Sequence, residues 1–518
     1  MIILCVVTKH LSLCGENMFE SIKIKGFRGF ADEQKLKLAK PYDGKIGSGL
    51  TVIVGPNNGG KSTIIESFKL LSLRNEVSFT EGQRNIKSGD RVEIKLSSFN
   101  DGSTYSIKTV SAGGCETEKH GYLSITVLPS RRFFTPYSNE VSYGQDQWPL
   151  QPASIKTLQH MLEPRGQPID ADDNRLFKVV GNEEFNKLLE QILDYKLKWT
   201  VDLSNTREYY VKITNNGDHD SDGLGEGLVS LLFIVEALLN QSPDKLLVID
   251  EPELSLHPQL QRNLLDLILE KSKESQIVYS THSPEMVSID AILNGGTLAR
   301  VVNQGNGSKI YQLNEKSRNC LRKFDGDLFN PHVFGYDARS CFFEDDKLVV
   351  VEGQEDVVFL RKALKDLGIN KKIRFFGFGA GGADKIKFIV TILESLGFEK
   401  VCCLYDGDVD IKKINKVRRK FPQYGFKRLN ADDIRDKECR VYDKCSNLLD
   451  GSKCKDCKDM KQGIEFCLCE CGNVVDKKHC ESCRHMKIGI FNKSGEIKND
   501  YKPRFESLLN RIASKYGC

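Results

Sequence analysis

Gly55-Pro56-Asn57-Asn58-Gly59-Gly60-Lys61-Ser62-Thr63 fits the pattern G-x4-G-K-[ST]. An apolar run, Leu50-Thr51-Val52-Ile53-Val54, leads into it and reads as a buried strand. Ile64 to Leu71 follows and reads as a helix. Strand, Gly-rich turn and helix in that order are the context in which the pattern forms a phosphate-binding loop. Small residues let backbone N–H groups converge on a phosphate, and the helix N-terminus adds positive potential. Lys61 then reaches the outer phosphates and Ser62 holds Mg²⁺.

Outward from this loop, the bulk properties set bounds. A chain of 518 residues holds two to four domains. Hydrophobic residues make up 40% and charged residues 28%, which is ordinary for a globular protein. The formal net charge is +4, too small to demonstrate a nucleic-acid partner, so any basic patch must be local. No apolar run reaches the ~18 residues of a membrane span, and Ile2 to Val7 has no basic residue before it, as a secretory signal would. Residues 1–18 read as an N-terminal extension ahead of the strand Phe19 to Ile24. These features predict a cytoplasmic protein with no membrane partner.

Residues 19–325 read as the first domain. Ser21-Ile22-Lys23-Ile24-Lys25 and Gln34 to Leu38 alternate polar and apolar, and predict a small antiparallel sheet. Further strands are expected near Val92–Leu96, Thr104–Lys108 and Tyr122–Leu128, a helix at Phe185–Leu193, and a strand pair at Lys196–Leu203 and Tyr209–Thr214. Ser221 to Leu228, with Gly225 and Gly227, is Gly-rich and opens an apolar helix, a second place suited to an anion. Lys245 to Ile249 ends in Asp250-Glu251 and reads as a central parallel strand with carboxylates at its C-terminal edge, where ligands of open α/β sheets bind. There Asp250 holds Mg²⁺ through water and Glu251 polarises the attacking water. Another strand, Gln276 to Ser280, ends in Thr281-His282-Ser283, and His282 is the expected γ-phosphate contact. These four segments, with Phe27-Arg28-Gly29-Phe30, resemble the ABC-type ATPase head of the structural-maintenance and RecF-like DNA-repair proteins. The resemblance implies ATP at a dimer interface, where the Gly-rich signature of one subunit completes the site of the other. Here that signature is Leu224-Gly225-Glu226-Gly227 rather than the transporter form Leu-Ser-Gly-Gly-Gln.

A second constellation spans residues 345–430. Lys347 to Val351 is a strand ending in Glu352-Gly353, followed by Glu355, Asp356 and an amphipathic helix. Ile373 to Phe376 is a second expected strand, and Lys400 to Tyr405 a third, ending in Asp406-Gly407-Asp408. Alternating strands and helices imply a parallel sheet whose C-terminal edge gathers Glu352, Asp406 and Asp408. Clustered carboxylates repel unless a cation neutralises them, which points to Mg²⁺ or Mn²⁺ and in-line phosphoryl transfer. This segment resembles the Toprim domain of topoisomerases, primases and OLD nucleases. An ABC-type head followed by Toprim in one chain is similar to the OLD (overcoming lysogenisation defect) family, which includes the nuclease subunit of the Gabija anti-phage system. By that resemblance Glu352, Asp356, Asp406 and Asp408 ligate metals for DNA cleavage. Lys412 to Lys420, with six basic residues in nine, suits a phosphate backbone beside them.

Residues 431–518 are cysteine-rich: nine of the 17 cysteines lie between Cys439 and Cys483. Cys454-x2-Cys457, Cys467-x-Cys469-x-Cys471 and Cys480-x2-Cys483 have structural zinc spacing. The whole predicts an α/β fold: an ABC-type ATPase domain with a mixed sheet, then a parallel Toprim domain with a Cys-rich, Zn²⁺-binding insertion or tail. The function expected is an ATP-regulated, Mg²⁺- or Mn²⁺-dependent DNA endonuclease of anti-phage defence, a homodimer or higher homo-oligomer with room for a protein partner. Two other readings stay open: a RecF-like DNA-binding ATPase or sensor with a non-catalytic Toprim domain, and a topoisomerase- or primase-like enzyme.

Overall fold

The computed structural model describes residues 18–73, 77–99, 102–112, 117–121, 125–130, 182–203, 209–213, 226–324, 334–344, 346–436, 488–492 and 494–516. The chain divides into two compact units, Met1–Arg322 with Phe342–Asp345, and Lys323–Cys341 with Asp346–Cys518.

The first unit contains strands β1 (Phe19–Lys25), β2 (Gln34–Lys37), β3 (Leu50–Val54), β4 (Glu93–Ser98), β5 (Thr104–Thr109), β6 (Thr117–His120), β7 (Ile125–Leu128), β8 (Trp199–Leu203), β9 (Tyr209–Ile213), β10 (Leu246–Asp250), β11 (Gln276–Ser280), β12 (Thr297–Asn303) and β13 (Ser308–Gln312). Among the described residues, one sheet has the order β13-β12-β3-β11-β10-β7. Its strands are parallel except β13, which runs antiparallel to β12. A second has the order β2-β1-β4-β5-β6 and is antiparallel throughout, and β8 and β9 form a separate antiparallel pair. The two sheets differ in sequence for a physical reason. β3, β10 and β11 are buried at every position, as strands covered on both faces must be. β4 buries alternate residues and β2 buries only Leu36, as strands with one wet face do.

The helix Lys61–Ser72 lies between these sheets. Its Ile64, Ile65, Phe68 and Leu71 share one core with Ile22 and Ile24 of β1, Ile94 and Leu96 of β4, and Val248, Val278 and Val301 of the mixed sheet. A buried amide also joins the sheets. Gln276 Oε1 accepts the Phe19 N–H at 2.7 Å, and its Nε2 donates to the carbonyls of Phe19 and Ala39 at 2.8 and 2.9 Å. Replacing Gln276 by Leu strands one buried donor and two acceptors. At ~1–3 kcal/mol for each unsatisfied group, the Gln276→Leu protein is expected to lose on the order of 3 kcal/mol. Thermal unfolding of the two proteins at one pH measures this; equal midpoints would show that the amide does not tie the sheets.

The second unit contains β14 (Lys347–Val350), β15 (Lys400–Tyr405), β16 (Gly425–Arg428), β17 (Asp433–Arg435) and β18 (Gly489–Phe491). β14-β15-β16 is a parallel sheet, and β17 pairs in parallel with β18. The strand expected at Ile373–Phe376 is reduced to one parallel bridge, Val349 with Phe375. Helices Gln354–Asp366, Ala383–Ser395, Ile411–Lys420 and Lys502–Tyr516 complete the unit. A division at residue 430 is not what the packing shows. Ile434, Ile490, Phe491, Phe505, Leu508 and Ile512 fill the same core as Val349, Val351, Leu360 and Leu404. The core of the second unit therefore continues through the final helix, with residues 437–487 intervening in the sequence. No helix among the described residues is long and apolar enough to cross a membrane.

Candidate functional site

In the first unit, β3 delivers the chain into the Gly55–Gly60 turn and Lys61 opens the helix. Gly55 has φ +137°, and a Cβ there would lie 2.2 Å from the Val301 carbonyl oxygen. A Cβ on Gly59 would meet the same oxygen at 2.3 Å. The loop is thus pressed against β12, a closeness only glycine allows. Asn57 and Asn58 are exposed at the crest of the turn, and Asn58 is left-handed with φ +59°. Gly60, with φ +116°, caps the helix, leaving its first N–H groups to face the loop. Ser62 lies in the first turn and is exposed, whereas Thr63 is buried. The Lys61 ammonium donates to the carbonyls of Gly55 and Pro56 at 2.9 and 3.0 Å. Burial pulls its pKa down to about 8, against the opposing pull of Glu251, Asp250 and Glu253.

Parallel neighbours bring the other expected residues to the same edge. The Ser280 hydroxyl at the end of β11 donates to the Asp250 carboxylate at the end of β10. Glu251 has φ +46°, and its N–H donates to the Ser280 carbonyl at 3.1 Å. Its carboxylate stands 3.5 Å from His282 Nε2. Burial and the Lys61 charge lower the His282 pKa, so the ring is neutral at physiological pH and one nitrogen is an acceptor. Glu253 has no role in the sequence reading, yet its Oε1 accepts the His282 N–H at 2.6 Å and fixes the loop. Burial pushes its pKa up to about 7, against the His282 N–H bond. The turn-rich Glu251 to Leu256 stretch carries no periodic signal that would have singled it out. Arg28, in the turn after β1, pairs with the buried Glu66 at 2.6 Å and anchors the phosphate-loop helix. Gly227 is buried in the helix Glu226–Leu239, where a Cβ would meet the Ser255 carbonyl at 2.4 Å. Gly225 lies outside the described residues.

In the second unit, parallel β14 and β15 end side by side. Glu352 follows β14 and its Oε1 accepts the Asp406 N–H at 2.8 Å, so Glu352 holds the loop that leaves β15. Asp356, in the first turn of the helix Gln354–Asp366, accepts the Gly353 N–H at 2.8 Å. Carboxylate oxygens of Asp356, Asp406 and Asp433 all lie within 4.8 Å of one another. The three residues are 6%, 8% and 1% exposed, which makes their mutual repulsion costly without a counter-charge. Asp433, at the start of β17, was not singled out in the sequence. It is brought in by the fold: a Cβ on Gly407 would meet the Ala431 carbonyl at 2.0 Å, so the Asp406 and Asp433 loops touch backbone to backbone. Asp408 is exposed on that loop and is not one of the trio, and its N–H donates to the Asp432 carbonyl at 3.3 Å. Glu355 turns instead to Arg435. The expected zinc ligands Cys454, Cys457, Cys469, Cys471, Cys480 and Cys483 lie outside the described residues.

Residues 18–129 match a family model described as "AAA ATPase domain", and residues 136–288 one described as "AAA domain, putative AbiEii toxin, Type IV TA system". Over 314 residues the chain is 28% identical to Septu protein PtuA of Bacillus thuringiensis, covering 53% of this chain and 74% of that one. It is 23% identical over 388 residues to Endonuclease GajA of Bacillus cereus (strain HuB5-5), covering 69% and 54%. With OLD nuclease of Thermus scotoductus it shares 28% identity over 216 residues, or 39% of each chain. The matched stretch thus spans about half or less of the two nuclease relatives. Solved structures that align include an Smc head bound to the C-terminal winged helix of ScpA, at 17% identity and TM-score 0.35, covering 58% of this chain and 99% of that one. The SMC head of Thermotoga maritima aligns at 18% identity and TM-score 0.31, covering 57% and 99%. The phosphate loop on its mixed sheet agrees with the two ATPase-domain matches, and the chain is similar to OLD-like ATPase nucleases.

Proposed function

We propose that this protein is an ATP-regulated, divalent-metal-dependent DNA endonuclease of prokaryotic anti-phage defence, with a Toprim-type catalytic unit. The observation that carries this reading is the convergence of Asp356, Asp406 and Asp433 at the C-terminal edge of a parallel sheet. Oxygens within 4.8 Å of one another suit a hard cation with metal–oxygen distances of about 2.0–2.6 Å. These three carboxylates would hold Mg²⁺ or Mn²⁺, with the exposed Asp408 serving a second ion or the substrate. When bound, the metal stabilises the attacking and leaving oxygens of an in-line displacement at phosphorus. Glu352 keeps the Asp406 backbone in place. Lys412, Lys413, Lys416, Arg419 and Lys420 are exposed on the helix that follows and attract the DNA backbone.

The head is the control input. The Gly55–Thr63 loop takes the ATP phosphates, Lys61 the outer charge, and Ser62 with Asp250 the Mg²⁺. Glu251 polarises the water, and His282, neutral and fixed by Glu253, accepts from it or contacts the γ-phosphate. Gly225 and Gly227 complete the nucleotide site of a second copy, which makes the protein a homodimer or higher homo-oligomer. A defence-system protein partner and a cytoplasmic setting belong to the same proposal. The clustered cysteines bind structural Zn²⁺.

The test is plasmid DNA incubated with Mg²⁺, Mn²⁺ or chelator, each with and without ATP. Nicked or linear product that needs the metal and responds to ATP is expected, and metal analysis of the same preparation is expected to find zinc. Intact plasmid under every combination, together with tight DNA binding, would favour the non-catalytic DNA-binding ATPase.

A further inference from the structure

Beside the carboxylate edge, β16 and the final helix enclose a cavity of about 380 Å³ lined by Arg428, Asn430, Arg504, Ser507 and Arg511. Arg428 is directly paired with Tyr405, the residue before Asp406, in the β15–β16 register. Its guanidinium Nη1 donates to the Val409 carbonyl at 3.3 Å, just ahead of the basic helix Ile411–Lys420. Arg504, Ser507 and Arg511 recur at three and four residues, so they share one face of the helix Lys502–Tyr516. The opposite face, with Phe505, Leu509 and Ile512, is packed into the core, which fixes the helix that carries the arginines. Arg428, Arg504 and Arg511 have no ion pair among the described residues. The Arg511 side chain donates its Nε–H to the Ser507 carbonyl at 3.4 Å. Three guanidiniums around one concavity repel each other, and an anion between them relieves that repulsion.

We propose that this cavity is a phosphate-binding site for the DNA backbone, receiving the strand flanking the phosphate at the Asp406 carboxylates. The ligand is a phosphodiester because a guanidinium fork matches two phosphate oxygens at once. Arg504 and Arg511 stand two helical turns apart, about 10.5 Å along the axis. That corresponds to about three nucleotides of axial rise at 3.4 Å each. A polymer with regularly spaced charges engages the whole row of guanidiniums more tightly than a single phosphate held between them. The basic helix beyond Val409 extends the same track. This inference rests on the endonuclease reading only for its choice of polymer, and the experiment separates the two.

The full chain is assayed for binding of duplex and single-stranded oligonucleotides by fluorescence anisotropy, with Ca²⁺ as the cation, across a salt series. AMP and orthophosphate are measured in parallel. Arg504→Gln/Arg511→Gln is expected to weaken DNA binding by about tenfold or more and to lower the salt slope on duplex by about 1.8, at about 0.9 per lost phosphate contact. Arg428→Gln should lower it by about 0.9. Thermal midpoint and ATP affinity should stay those of the wild type, which controls for folding. Unchanged DNA affinity and slope in both variants overturns the proposal, whether or not the wild type cuts. So does arginine-dependent binding of AMP or orthophosphate beside arginine-independent binding of DNA. Conversely, wild-type binding that depends on the arginines, with no cleavage under any metal or nucleotide, upholds the cavity and overturns the nuclease reading.

Discussion

Asp406→Ala is expected to abolish DNA cleavage, by at least about a thousandfold, while ATP affinity is unchanged. The metal is asked to supply several kcal/mol of charge stabilisation at the phosphate, and each 1.36 kcal/mol is about tenfold in rate. Removing Asp406 takes away a central ligand of a three-carboxylate group whose oxygens lie within 4.8 Å of one another. Asp433→Ala should come close to the same loss, and Asp408→Ala should lose less, because Asp408 is exposed on the adjoining loop. A structural readout accompanies activity. The unmetallated wild type carries three buried acids in mutual repulsion, so its melting temperature should rise as Mg²⁺ or Mn²⁺ is added, by mass action on the folded state. In Asp406→Asn that metal-dependent rise should vanish, and the metal-free midpoint should be no lower than that of the wild type. If Asp433→Ala keeps the full metal response while Asp408→Ala loses it, the ligand set has been assigned to the wrong carboxylates.

Lys61→Met is expected to weaken nucleotide binding by about 10- to 100-fold, the worth of a charge-assisted bond to phosphate at ~1.5–3 kcal/mol. Its effect carries a pH signature. Burial lowers the Lys61 pKa from 10.5 to about 8, although Glu251, Asp250 and Glu253 oppose the shift. A bound polyphosphate favours the charged form and so raises that pKa. Affinity is therefore fully developed below the free-state value and is lost as pH climbs above about 8, by up to about tenfold per pH unit. The neighbouring groups leave that window clear. The His282 pKa is lowered, so the ring is already neutral, and Glu253, at about 7, is already ionised. Calorimetry at pH 8.0–8.5 in two buffers of different ionisation enthalpy should show net proton uptake on ATP binding. Uptake that is absent, or that persists in Lys61→Met, would refute this account. The same shift has the opposite sign for folding. The folded pKa lies below the unfolded one, so the Lys61 contribution to stability improves as pH rises from about 8 towards 10.5.

Much of the head was legible because its signals are local. Gly55, Gly59, Lys61 and Ser62 are contiguous, and the strand and helix that give the motif meaning adjoin it. Asp250 and Glu251 were readable because an apolar run ended on them. Glu253 was not, because its importance is a bond to the His282 backbone, far along the chain. The same contrast divides the carboxylate site. Asp406 ends a strand and Asp356 sits in a helix's first turn, so both carried a pattern. Asp433 opens a strand of three residues with no period to read. The expected break at residue 430 failed for a related reason. Cysteine composition marked residues 431–518 as different, but Ile434, Phe505 and Leu509 belong to the core of the second unit, and composition does not register which core an apolar residue fills.

The amino-acid sequence alone determined that this chain has a phosphate loop on an α/β head and a second α/β unit with acids at strand ends. Those are properties of short contiguous runs, where glycine, apolar and carboxylate patterns act through neighbours in the chain. The tertiary structure decided which acids meet, placing Asp433 with Asp356 and Asp406 and turning Glu352 to the Asp406 backbone and Glu355 to Arg435. It also decided that Arg428 shares a cavity with Arg504 and Arg511. Those assignments depend on strand register and on backbone approach at Gly407, which are set by packing between distant segments rather than by any local period.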